Sequence, residues 1–181
     1  MSVALVTGSC GLVGSESVKF FASKGFDVVG IDNNSRAEFF GKDGDINWVK
    51  RSLIKSYKNY THKNIDIRNY SALEKIFQKY KNSIKLIIHS AAQPSHDWAK
   101  KKPFVDFNIN ALGTLNLLNL TKKYSYNASF IFMSTNKVYG DNPNLLPLRE
   151  LNSRWEISKK HKYFNGITED MSLDNSVHSF F

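Results

Sequence analysis

The sequence predicts an α/β fold built on a doubly wound, mostly parallel sheet, and three observations predict it. Short β-branched apolar runs alternate with amphipathic stretches up to residue 133, the pattern of strands covered by helices on both faces. Residues 1–14 run from an apolar strand straight into glycines at positions 8, 11 and 14, a strand–turn–helix arrangement suited to phosphate. Each later strand ends in a polar or small-residue loop, where open α/β sheets carry their ligands.

Val3–Thr7 reads as the first strand, and residues 12–24 as the helix that follows, with Gly25 where a C-terminal cap belongs. Asp27–Ile31 is the second strand, leading into the polar loop Asp32-Asn33-Asn34-Ser35-Arg36 and a helix over about 46–57. The third strand, 62–65, is short and polar. Ser71 and Glu74 have the spacing of a capping box, ahead of Leu73, Ile76, Phe77 and Tyr80 on one helical face. Residues 85–89 form a buried-type strand. Phe104, Phe107, Ala111, Leu115 and Leu118 then recur at helical spacing on a long helix, and 130–133 is the fifth strand. Beyond Gly140 the periodicity fades, so 1–140 reads as one dinucleotide-binding domain and 141–181 as an irregular or partly helical start of a substrate region.

The chain has 181 residues, 41% of them hydrophobic, with 25 Lys and Arg against 16 Asp and Glu, a formal charge of +9. That length supports one core. A basic balance suits anionic partners, but the lysines are scattered in small groups (Lys100, Lys101 and Lys102; Lys122 and Lys123; Lys159 and Lys160) without a stripe. Such scatter is a solvated surface, so neither nucleic acid nor a membrane is expected as a partner. One cysteine, Cys10, excludes an internal disulfide and suits a reducing, cytoplasmic setting; it reads as a small spacer with no evident neighbouring base. The N-terminal apolar run is too short and lacks the basic leader of a signal peptide. No stretch has the length and apolarity of a membrane span.

Chemistry gathers at the strand ends. Gly8 lets the chain turn sharply, Gly11 lets backbone N–H groups approach phosphate oxygens, and Gly14 lets the helix pack on the sheet, so Gly8, Ser9, Cys10, Gly11, Leu12, Val13 and Gly14 form the candidate phosphate cradle. Asp32, eighteen residues past Gly14, stands where a carboxylate accepts from adenosine ribose hydroxyls and repels the extra phosphate of NADP. Asn33, Asn34, Ser35 and Arg36 extend that site, and Arg36 leaves some room for NADP. Asp66 and Ile67 offer an acceptor and an apolar flank for adenine. Ser90, Ala91, Ala92 and Gln93 are small enough for a flat cofactor to pass, and Ser134 and Thr135 present hydroxyls after the fifth strand. His89 reads as a packed strand-end histidine, and His96 and Asp97 as loop surface. No histidine or cysteine has metal-ligand spacing, so no metal is expected.

With T-G-x-x-G-x-x-G, Asp32, Asp66-Ile67, H-S-A-A and S-T-N-K-V-Y-G in order, the chain resembles the extended short-chain dehydrogenase/reductases, the NAD-dependent nucleotide-sugar epimerase/dehydratase family. Its runs H-S-A-A-Q-P-S-H-D-W-A, N-I-N-A-L-G-T-L-N-L-L and M-S-T-N-K-V-Y-G-D are similar to the CDP-paratose 2-epimerase (CDP-tyvelose epimerase) branch. The resemblance implies a Rossmann fold, NAD as cofactor, a nucleotide-sugar substrate and epimerisation by reversible hydride transfer. Thr135, with Ser134 beside it, corresponds to the hydroxyl that hydrogen-bonds the reacting sugar oxygen, and Asn110 to a helix asparagine of the cofactor site. Arg154 and Trp155 fall in a segment expected near the sugar nucleotide or packed at the surface. The sugar dehydratases carry an Asp-Glu pair after the threonine; Asn136 and Lys137 stand there instead, which favours epimerisation over loss of water.

The resemblance also implies a tyrosine followed four residues later by lysine, which lowers the phenol pKa so that it accepts the alcohol proton. None of the eight tyrosines has a lysine at that spacing. Residues 166–181 resemble the approach to that segment, and Phe181 falls at or beside the tyrosine position. The chain therefore reads as a truncated frame or fragment, or as a deliberately short protein, with reduced or no turnover. Apolar surface left open on the fifth strand would favour a homo-oligomer. A non-catalytic NAD-binding regulatory or interaction module stays open as the alternative.

Overall fold

Strand β1 (Val3–Thr7) is buried along its whole length, so both of its faces must be covered. Val3 and Leu5 pack with Val29, Ile31, Leu73, Phe77, Ile87, Leu117 and Leu120; Ala4 and Val6 face the other way, among Val18, Ala22, Val28, Leu53 and Ile88. β1 pairs in parallel with β2 (Asp27–Ile31) on one side and β4 (Ile84–His89) on the other. β3 (Tyr60–Lys63) and β5 (Ser129–Phe132) complete a five-stranded parallel sheet in the order β3-β2-β1-β4-β5. Strand order reverses between β1 and β4, which places the topological switch point at the glycine turn after Thr7.

This computed structural model describes residues 2–135 and 138–173, in two compact units, 1–133 and 134–181. In the first unit, α1 (Leu12–Ser23) and α3 (Asn47–Ser56) supply the apolar side chains of one face, and α4 (Tyr70–Tyr80) and α7 (Gly113–Tyr124) those of the other. α2 (Arg36–Phe40) and a 3-10 turn (Gly41–Gly44) follow β2, and α5 (His96–Lys101) follows β4. α6 (Pro103–Phe107) continues through a π-helical turn (Asn108–Leu112) into α7. α1 ends in a Schellman motif: Gly25 N–H donates to Ala22 O, Phe26 N–H to Phe21 O, and the Phe21 and Phe26 rings meet edge to face at 5.6 Å. The second unit contains a 3-10 turn (Asn142–Leu145) and a two-stranded antiparallel hairpin, β6 (Leu148–Glu150) with β7 (Trp155–Ile157). Among the described residues no helix is long and apolar enough to cross a membrane.

Several local expectations are corrected. Asn69, not Ser71, caps α4: its side chain accepts from Ala72 N at 3.1 Å, while Glu74 turns away to accept from Lys123 and Tyr124. The third strand sits two residues earlier than expected because buried Tyr60 registers against Val28. Arg36 begins a helix instead of ending a loop, and His96 and Asp97 lie in α5 behind the Ser95 cap. The helix over 103–124 exists, but Phe104, Phe107, Ala111, Leu115 and Leu118 are exposed; Ile109, Asn116, Leu117, Leu120 and Thr121 face inward. Leu148–Glu150 and Trp155–Ile157 form strands where an irregular or partly helical stretch was expected. Ile131 and Phe132 of β5 are exposed.

The caps provide a direct check. Asn69→Ala is expected to destabilise the protein by about 0.5–2 kcal/mol in urea denaturation, whereas Ser71→Ala stays within about 0.5 kcal/mol. A reversed order would restore the capping box read from the sequence.

Candidate functional site

The site begins with two glycines that must touch. Gly8 adopts φ +64°, and a Cβ there would lie 2.8 Å from Ala91 N; a Cβ on Gly14 would lie 2.0 Å from Gly8 O. Any larger residue would push α1 off the turn or the turn off β4. Gly11 N–H donates to Gly8 O at 3.0 Å, and Gly11, just before α1, has no side chain to cap it. The first N–H groups of α1 therefore lack intrahelical partners, and Leu12 and Val13 beside them are exposed. That end of the helix is able to take an anion.

Asp32 closes the back of this turn. Cys10 N–H donates to its Oδ2 at 2.9 Å and Asn34 N–H to its Oδ1 at 2.8 Å, so one carboxylate ties the glycine turn to the end of β2. Asn34, at φ +60°, also holds Asp45 and the Ile46 N–H, which docks the start of α3. Between these parts lies a polar chamber of about 200 Å³, lined by Cys10, Asp32, Asn33, Asn34, Ile46, Asn47, Lys50, His62 and Asn64. Sequence reasoning missed Asn47, Lys50, His62 and Asn64. The available signals were weak: Asn47 and Lys50 share a helical face by their i, i+3 spacing, and His62 shares a strand face with Tyr60.

Cys10 does have a base nearby, contrary to the sequence reading, because β3 brings His62 Nδ1 to 3.9 Å from its Sγ. Burial and the Asp32 charge push the thiol pKa up, and burial holds the His62 imidazolium down, so both groups stay neutral. Ser9 is buried and shares a hydrogen bond with Tyr60 OH at 3.1 Å. Arg36 stacks its guanidinium over the Phe40 ring at 4.9 Å. Ser35 donates its N–H and hydroxyl to Asn33 Oδ1, and the Asn33 amide donates to Asp66.

Asp66 makes a forked pair with Arg68, 2.9 Å from Nε and 2.6 Å from Nη2, a partner the sequence did not reveal. These bonds hold its carboxyl below the usual carboxylate range against the opposing effect of burial. Ile67 is buried against Gly113. After β4, Ser90 Oγ donates to Thr7 O at 2.7 Å and Ala91 N–H to Thr7 Oγ1 at 3.2 Å; Ala92 is exposed beside them. Gln93 is buried and exchanges backbone hydrogen bonds with the Asn110 amide, and both side chains donate to Asp106 Oδ1. Asn110 lies within the π-helical turn.

His89 is enclosed between Thr7 Oγ1 at 2.7 Å and Thr114 Oγ1 at 2.8 Å, and burial pushes its pKa down to about 4. It is a neutral strut. Ser134 and Thr135 open the second unit and are exposed. Asn136, Lys137 and Phe181 lie outside the described residues. In the hairpin Arg154 and Arg149 both pair with Glu156, and Trp155 is exposed. Among the described residues no group of three or more His, Cys, Asp or Glu could hold a metal ion.

A parallel sheet with its switch point at a glycine turn, an uncapped helix start and a carboxylate ending the second strand defines the doubly wound Rossmann class. Within that class, the NAD dependent epimerase/dehydratase family matches residues 4–163, and the chain belongs to it. It is 34% identical over 170 residues to CDP-paratose 2-epimerase of Salmonella typhi, covering 94% of this chain and 46% of that one. It is 33% identical over 147 residues to UDP-glucose 4-epimerase of Caenorhabditis elegans, covering 81% and 41%. The structure of Thermus thermophilus UDP-glucose 4-epimerase in complex with NAD aligns with a TM-score of 0.64 at 25% identity, over 95% of this chain and 44% of that one. The chain spans less than half the length of these relatives.

His89 gives this region a pH signature. Its folded pKa lies below the ordinary value of 6.5, so its contribution to stability is complete above pH 6.5 and is lost as pH falls towards about 4. The urea midpoint is expected to drop across that window, and the drop is expected to shrink in His89→Gln. Proton NMR of the imidazole should show no protonation at pH 6; a normal titration there would contradict the buried, neutral assignment.

Proposed function

We propose that this chain carries the NAD-binding part of a nucleotide-sugar epimerase of the CDP-paratose 2-epimerase type, with residues 1–140 holding the cofactor and 141–181 beginning the substrate region. One observation carries the reading: a single hydrogen bond, Cys10 N–H to Asp32 Oδ2 at 2.9 Å, joins an uncapped helix start able to take a pyrophosphate to a carboxylate able to take a ribose.

In this reading the residues from Gly8 to Gly14 and the first N–H groups of α1 hold the pyrophosphate. Asp32 keeps acceptor capacity for the ribose hydroxyls, because a carboxylate offers about four lone-pair positions and two are engaged, by Cys10 N–H and Asn34 N–H. Asn33, Ser35 and Arg36 border that ribose, Ile67 and Asp66 the adenine, and Ser90, Ala91, Ala92, Gln93 and Asn110 the middle of the cofactor. NAD, when bound, supplies reversible removal of hydride from a sugar carbinol. Thr135, with Ser134, hydrogen-bonds the reacting sugar oxygen and orients it.

An aliphatic hydroxyl orients an alcohol but does not take its proton at neutral pH, and no Tyr-x-x-x-Lys occurs in these 181 residues. The reading therefore assigns cofactor and nucleotide-sugar binding to the chain, with turnover about 10²- to 10⁴-fold below a family member that carries that pair.

Fluorescence titration of the full chain is expected to show NADH binding that is stronger than NADPH binding. Asp32→Ala should weaken NADH about tenfold or more, with an unchanged circular dichroism spectrum. Assays with CDP- and UDP-sugars should show little or no epimerisation. A folded chain that binds neither dinucleotide would overturn the proposal, and full epimerase activity would overturn its catalytic half.

A further inference from the structure

The chamber beside Asp32 contains more charge than a ribose diol requires. Among the described residues that line it the cation is Lys50, which makes no ion pair or hydrogen bond with any of them although its charge reaches both Cys10 and His62. Its one carboxylate is Asp32, already held by N–H groups on both oxygens. Arg36, the cation the sequence places nearest, does not line the chamber and lies over Phe40. His62 is uncharged there. Its Nδ1 shares a hydrogen bond with the Tyr60 hydroxyl across 3.3 Å; in the tautomer in which the hydroxyl donates, Nε2 carries an N–H and is a neutral donor. Asn64, at the rim, adds an exposed amide.

An unpaired ammonium, a neutral imidazole and an amide form the donor set of a phosphate site, with a carboxylate in the same lining that repels a dianion. The position follows from the reading of Asp32 as the partner of the adenosine ribose hydroxyls. On that reading a substituent on the ribose 2′ oxygen would meet that carboxylate and the chamber it lines.

We propose that the chamber is a receptacle for the 2′-phosphate of NADP, closed to it by the Asp32 carboxylate, and that Lys50 on α3 and Asp32 together set the choice between NAD and NADP. The inference rests on the cofactor reading above. It goes beyond that reading in naming Lys50 as a specificity determinant and in placing the second phosphate site on α3 and β3, not on Arg36.

The test uses the full chain and the ratio of NADPH to NADH affinity, measured by fluorescence titration, with circular dichroism to confirm folding. Asp32→Asn nearly keeps the size of the side chain and removes its charge, at the loss of one of the two backbone N–H bonds it accepts; it is expected to raise the ratio about tenfold to a hundredfold. Adding Lys50→Met in that background should reverse most of the gain, Lys50→Arg should preserve it, and raising salt should diminish it. Arg36→Met should reverse less of the gain than Lys50→Met. If NADH binds but Asp32→Asn leaves the ratio unchanged, or Lys50→Met leaves the gain intact, the chamber is not a phosphate site and the cofactor reading survives alone. If the folded wild-type chain binds neither dinucleotide, the cofactor reading itself fails and takes this inference with it.

Discussion

A Cβ at position 14 would stand 2.0 Å from the carbonyl oxygen of Gly8, so the first turn of α1 is pressed directly onto the turn that leaves β1. That contact fixes the rest of the site. It directs the helix's open N–H groups over the switch point between β1 and β4 and sets Cys10 N–H within reach of Asp32 at the end of β2. The turn itself has little freedom, because a Cβ on Gly8 would run into the backbone of Ala91. The ends of β1 and β4 and the start of α1 are thereby held by backbone against backbone, and the end of β2 is tied to them through the Asp32 carboxylate.

Below this surface, polar groups are buried and paired. Tyr60 reaches under β2 to Ser9 because Gly30 leaves space: a Cβ there would be 2.5 Å from the Tyr60 hydroxyl. His89 joins Thr7 to Thr114, linking β1 and β4 to α7. Among the described residues no buried side-chain nitrogen or oxygen is left without a partner, which is the condition under which such groups can be buried at low cost. Burial also keeps Tyr60, Cys10, His62 and His89 uncharged. Asp32 and Lys50 are left as the charged groups that line the chamber, so its field is set by two side chains from different elements.

Much of the fold is legible in the sequence because its signals are local. Val3–Thr7 and Asp27–Ile31 are continuous apolar runs, and both strands have those bounds; Gly25 marks the end of α1 through its positive φ. Other signals were ambiguous for physical reasons. Asn69 and Ser71 are both competent caps, and the choice depends on where Leu73 must point to enter the core. The stripe Phe104, Phe107, Leu115 and Leu118 identifies a helix but not its inner face, because packing against Ile67, Leu73 and Phe77 decides which side is buried. The hairpin at 148–157 has only three residues in each strand, pairing Leu148 with Ile157, Arg149 with Glu156 and Glu150 with Trp155, a run too short for its alternation to announce a strand.

The sequence by itself determined the class of fold, the glycine turn and the position of Asp32 after β2, because each depends on neighbours in the chain and on the strand–helix rhythm. It also determined that no tyrosine–lysine pair of the required spacing is present in these 181 residues. Only the tertiary structure decided what surrounds Asp32. Lys50 and His62 lie 18 and 30 residues beyond it, on a helix and a strand whose own patterns say nothing about the carboxylate. They meet it because β3 adds to the edge of β2 and α3 packs against α1 beneath them. Charge acts through space, and the sheet order decides which charges become neighbours.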